Sequence, residues 1–235
     1  MEPDGQQDDA IRSDDRRSPG LPVSPGTWAG RLQQLARPVL AGTPMVDSAA
    51  DNPAGYLDGF ADERGHRRRS DRLLLAWMLG LPMLGARLAS SRAPEPEEPL
   101  WNALIEGASS ICASSPEGPL FPMLHDGPIE VWTEAELRGL HWLWWLARRR
   151  RVEPERVESA VAWHLAELQP DNATGHPWGV HAFIAHWCDR EDRAALVHAE
   201  TMIHACMLDG GQPDRVSACI LLDAARGLDE LAQTA

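Results

Sequence analysis

A chain of 235 residues with 43% hydrophobic side chains can bury one sizeable core, and its formal charge of −13 disfavours a phosphate backbone as partner. Four well-separated cysteines (Cys112, Cys188, Cys206, Cys219) with no CxxC pair read as small buried hydrophobes in a reducing compartment rather than a disulfide frame or a thiolate zinc site. The acidic first twenty residues contain no apolar signal region, so the expected location is cytoplasmic, with no membrane and no nucleic acid among the partners.

Residues 1–25 are charged and rich in Gly and Pro, and are expected to form a disordered tail whose removal leaves stability unchanged. Residues 26–235 are expected to form a single helical domain. Trp28, Leu32, Leu35 and Val39 recur at helical spacing from Thr27, with Pro38 against the pattern, and a polar, Gly-rich linker follows at 43–69. The fourteen uncharged residues 73–86 are too short for a span of about 20 residues and are broken by Pro82, which predicts a kinked core helix capped by Ser70. A modest helix is expected at 100–114. Four prolines forbid a helix at 115–133, predicting a long loop or a strand pair turning at Asp126-Gly127, with His125 and Asp126 as residues to watch.

The last hundred residues are the most regular. Thr133 and Glu136 have capping-box spacing and predict a helix from there through Arg150, apolar nearly all round and therefore central. Pro154 opens a second helix with a stripe of Val157, Ala160, Val161, Leu165 and Leu168. Pro177 is expected to start a third helix to Cys188, Asp189 to cap a fourth to Leu208, and Pro213 to start a fifth to about Leu231. Short connections require antiparallel neighbours, so the fold class is all-α: an antiparallel α-hairpin stack, either a bundle or a curved α/α repeat.

Seven of the nine histidines lie between His141 and His204. Helical rise places His164, His181 and His204 roughly 6 Å below one end of the stack, beneath a turn carrying Asp171, Asn172 and His176. The candidate catalytic residues are His164, Asp171 and His181, and the candidate ligand-binding residues are Asn172, His176, Trp178 and His204. Three readings are open: structural groups bonded within the fold, a metal site built by imidazoles and a carboxylate, or metal-free acid/base work in a Trp-walled cleft. No HExxH spacing occurs, so no residue is assigned to a metal, and the cofactor is unknown. Ten Trp against one Tyr and three Phe read first as core, although indoles also line ligand sites. Asp223 shares an apolar face with Val216, Cys219 and Ile220 and needs a buried partner, for which His141 stands at a reachable depth.

The turn Gln169-Pro170-Asp171-Asn172 resembles the inter-helix corners of α/α-toroid proteins of the terpenoid-cyclase and prenyltransferase-like group. The chain has Asn172-Ala173 where two glycines would be similar, and it lacks an Asp-rich acid motif. The resemblance implies curved α-hairpins and carries over no catalytic residue. These patterns lead to an expected non-catalytic scaffold or binding module, with an enzyme or small-molecule binder using the His/Asp/Trp corner as the alternative.

Overall fold

The computed structural model describes residues 23–41, 75–78, 99–100, 103–104, 117–123, 128–168 and 175–234. The fold is all-α, and among the described residues the sole β pairing is an isolated bridge between Met207 and Pro213. Six helices have both ends described: α1 Pro25–Leu40, α2 Ile129–Arg148, α3 Pro154–Glu167, α4 Val180–Arg190, α5 Arg193–Ala205 and α6 Arg215–Thr234. None is long and apolar enough to cross a membrane. The linker 43–69, the Ser70 cap, the strand pair at Asp126-Gly127, and His125 lie outside the described residues. Within 73–86 and 100–114, the described residues 75–78, 100 and 103–104 are helical.

Chain order sets the direction of each helix. Arg149 to Glu153 and Glu191 to Asp192 are too short for crossovers, so α2/α3 and α4/α5 are hairpins. His141 meets both Gly179, at the start of α4, and Asp223 of α6. One turn or two further along, Trp144 meets His181 and lies against Gly227. Arg148 then reaches Glu230 and Thr234. Helices α2, α4 and α6 therefore run in the same direction and close around a shared Trp-rich core, with α3 and α5 returning outside them. Helix α1 runs antiparallel to α6: Gly26 faces Ala232, and the Gln33 amide donates to Asp229 Oδ2 at 2.8 Å. An Arg31 to Glu200 ion pair ties α1 to α5.

Helix α2 is buried from Ala135 to Leu146, as expected of a helix that is apolar nearly all round. Close packing on it excludes bulk elsewhere. A Cβ at Gly227 would sit 2.7 Å from Trp144 Cζ3, so α6 can approach the indole only with glycine there.

Four predicted boundaries need correction. Helix α2 begins at Ile129 after Pro128, and Glu136 turns away from the backbone of its own helix to accept from Leu120 N (2.9 Å) and Phe121 N (2.6 Å). Its carboxylate thus satisfies donors of the loop that precedes the helix, and among the described residues Thr133 Oγ1 is buried without a hydrogen-bond partner. Helix α4 starts at Val180 because Gly179 adopts a left-handed conformation (φ 74°), ending the turn that Pro177 begins. It continues to Arg190, so Asp192 rather than Asp189 caps α5, accepting from Ala194 N at 2.9 Å, and α5 ends at Ala205. At α6, Pro213 precedes the helix and Asp214 caps it through Ser217 N at 2.9 Å, and the helix extends to Thr234.

The boundary at residue 25 also cuts through a cap. Ser24 Oγ accepts from Thr27 N, and Pro25 is the first helical residue. Deleting residues 1–25 is therefore expected to cost about 1 kcal/mol, rather than nothing. Most of that loss should reappear in Ser24→Ala, measured by denaturant unfolding; a deletion of unchanged stability would show that the cap is not used.

Candidate functional site

Polar groups cluster in the interior, and the expected pairing of His141 with Asp223 forms the first such cluster. Asp223 Oδ2 lies 3.0 Å from His141 Nε2 and accepts from Trp145 Nε1 at 2.8 Å, while Oδ1 accepts from Arg226. Gly179 N donates to His141 Nδ1 at 3.3 Å, which puts the imidazole proton on Nε2, where it is donated to Asp223. Both His141 nitrogens are thus engaged, in a ring with no solvent exposure. No lone pair remains to take a proton from a substrate, so this dyad fastens α2 to α6 and to the start of α4. The Arg226 guanidinium closes the outer side, stacked over Trp77 and Trp145 at 4.6 and 5.0 Å.

The second cluster lies between α2 and α3. His164 Nδ1 donates to Ala160 O at 2.6 Å, which leaves its Nε2 lone pair 3.4 Å from Glu136 Oε2. Burial raises the Glu136 carboxyl to about 7, against the two loop N–H donors and the nearby Arg156 charge. Burial lowers His164 to about 4, with His198 and Arg156 adding to the effect. Glu136 Oε2 and His164 Nε2 stand within ion-pair distance, with no hydrogen bond formed between them. Arg156 is 8% exposed and none of its guanidinium nitrogens has a hydrogen-bond partner; burial lowers its pKa and the Glu136 charge opposes that. His198 stacks on Phe183 at 4.3 Å and is lowered to about 4 by burial.

The three histidines predicted to share one level do not share a site. His181 packs against His141 and Trp144, with ring centroids 4.4 Å away in each case. His164 packs toward Phe183 (6.3 Å), which stands two residues from His181 and so on the opposite face of α4. His164 and His181 both have zero exposure. His204 is exposed on α5. Neither ring nitrogen of His181 has a hydrogen-bond partner. Burial, followed by the His141 ring, holds its pKa well below the ordinary imidazole value, and the His141 carbonyl, near but outside bonding geometry, opposes the shift.

The described part of the corner brings together His176 and Trp178. His176 sits between Glu134 (3.8 Å) and Asp214 (3.7 Å), 5% exposed, and the buried Arg138 guanidinium lies over the Trp178 ring at 5.1 Å. Glu134 binds Arg138 at 2.8 Å, and Asp214 caps α6. These groups pin the starts of α4 and α6 to the first turns of α2. Asp171 and Asn172, with the turn that carries the toroid resemblance, lie outside the described residues. Among the described residues, no three His, Cys, Asp or Glu side chains converge as metal ligands.

A concave feature lies elsewhere. A cavity of about 490 Å³, partly open to solvent, is enclosed by α2, α3 and α4 and closed by the ends of α1 and α6. Trp144, Val157, Val161, Ala182 and Leu231 make its apolar wall, and Arg148, Glu158, His186 and Asp189 carry its polar edge. Cys188 also lines it, but burial raises the thiol to about 11, which keeps it protonated and unreactive. Neither His164 nor His181 lines this cavity.

Sequence reasoning missed this cavity, Arg156 and the second role of Glu136. Arg156 stands two turns before His164 on α3, a spacing that could have flagged it. The cavity had no such signal, because it arises where Ala147, Ala182 and Ala185 fail to fill the space between three helices. No protein-family model, no curated protein and no solved structure matches this chain.

Proposed function

We propose that this protein is a non-catalytic binding module that takes a small, largely apolar molecule into the cavity between α2, α3 and α4. The observation that carries this reading is the cavity's size and lining. Volumes of roughly 300–1,000 Å³ with apolar walls and a few polar groups are typical of small-molecule sites, and this one measures about 490 Å³. The histidines that suggested chemistry support it by contrast, since the described candidates are either sealed in the core or, at His204, outside on α5. The charge of −13 argues in the same direction, against a polyanionic partner.

A neutral fluorescent dye, N-phenyl-1-naphthylamine, tests the reading. It is expected to bind at micromolar concentration with enhanced emission, and Ala185→Phe, which adds a ring to the cavity wall, is expected to weaken binding by at least about tenfold, the effect of roughly 1.4 kcal/mol. The melting temperature should stay close to that of the unmodified protein, because Ala185 is half-buried and faces open space. Dye affinity that is unchanged in Ala185→Phe would overturn the assignment.

A further inference from the structure

The charges on the cavity wall are unequally compensated. Glu158 and Asp189 both bind Arg190, at 2.9 and 2.8 Å, and are 53% and 71% exposed, so their field is neutralised locally and screened by water. His186 faces Asp192 at 3.5 Å. Arg148 differs from all of these. Its guanidinium donates to two neutral acceptors, Glu230 O at 3.2 Å and Thr234 Oγ1 at 2.9 Å, and among the described residues no carboxylate lies within ion-pair distance of it. Its Nε is buried with no hydrogen-bond partner, and the group lies 5.9 Å from the Trp144 ring that forms the apolar wall. A desolvated N–H on an uncompensated cation is costly when left alone, and it is satisfied best by an anionic oxygen.

We infer that the ligand class is an amphipathic monocarboxylate, its apolar body against Trp144, Val157, Val161 and Ala182 and its carboxylate on Arg148. This inference rests on the cavity being a binding site. The guanidinium offers planar, paired donors that match a carboxylate in shape as well as charge, which an ammonium would not. A single carboxylate suffices to neutralise the Arg148 cation.

Titration calorimetry with decanoate, decanol and decylamine, each below its micelle concentration, separates the possibilities. Decanoate is expected to bind about tenfold or more tightly than decanol, the contribution of a charge-assisted hydrogen bond, and decylamine most weakly. In Arg148→Gln the decanoate preference should vanish while decanol affinity holds, which also shows that the variant is folded. Arg148→Lys should keep part of the preference, and Ala185→Phe should weaken all three. Equal binding of decanoate and decanol to the unmodified protein would overturn the carboxylate assignment and leave the cavity as an apolar site. Tightest binding of decylamine would overturn it in favour of the acidic edge. Failure of all three to bind would remove the cavity reading itself, and this inference with it.

Discussion

Asp223→Ala is expected to destabilise the protein by about 3–5 kcal/mol, the range for breaking a buried charged network by removing one partner. Three donors converge on this carboxylate: His141 Nε2, Trp145 Nε1 and the Arg226 guanidinium. The first two belong to residues with no solvent exposure, so neither can find water when the acceptor is removed. Each buried donor left unpaired costs about 1–3 kcal/mol. Arg226 is 40% exposed and recovers much of its solvation, so it adds little. Asp223→Asn keeps one acceptor oxygen and should cost less than Asp223→Ala. Combining Asp223→Ala with His141→Ala should cost less than the sum of the two single changes, by about 0.5–3 kcal/mol, because the second change removes a donor already stranded. Simple additivity in denaturant unfolding would separate the two residues.

The second large effect is a fall in stability below pH 6.5. His164 and His198 are lowered from 6.5 to about 4, and His181 lies well below 6.5. The unfolded chain takes up these protons first, so the stability these groups contribute is present above the ordinary imidazole value and is lost as pH falls toward about 4. Glu136 acts in the opposite sense. Its carboxyl is raised from 4.5 to about 7, so its contribution is present at low pH and lost as pH rises through 7. Between pH 5 and 6 the unfolded state holds about two more imidazole protons than the native state, at His164 and His198, against one that Glu136 retains in the native state, and His181 adds in the same sense as the other histidines. The net of about one proton from the first three groups corresponds to about 1.4 kcal/mol per pH unit. Urea unfolding at pH 7, 6 and 5 should show stability falling with this slope between pH 6 and 5 and more shallowly above pH 6, and Glu136→Gln should make the fall steeper. A flat profile from pH 7 to 5 would show that the interior histidines protonate without opening the fold.

The parts of the structure that local pattern specifies were legible. Pro154 and the Val157, Ala160, Val161 stripe gave α3, and the apolar run from Leu137 to Leu146 gave a buried α2. The partnership of His141 and Asp223 was legible because each carried a polar group on an apolar face at similar depth, and a buried carboxylate must find a donor. Glu136 was misread for the opposite reason. Its spacing from Thr133 fits a local cap, but the N–H groups of Leu120 and Phe121 compete for the same carboxylate, and tertiary contact prevailed. The shared level of His164, His181 and His204 was counted from helix ends that differ in the structure, since α4 starts at Val180 and α5 ends at Ala205, and it was silent on direction, since which side of α4 a ring meets depends on helix packing that periodicity does not encode. The cavity was illegible because it is defined by side chains that are too small, and an alanine on a helix face reads the same whether its neighbour fills the space or not.

An NMR titration of labelled protein with decanol, following methyl groups, indole N–H and imidazole signals together, locates the bound molecule. Binding in the cavity predicts shifts concentrated at Trp144, Val157, Val161, Ala182 and Ala185, with the rings of His176 and His204 unmoved. Shifts centred on His176, Trp178 or His204, with the Ala182 and Ala185 methyls unaffected, would place binding at the histidine corner and contradict the account.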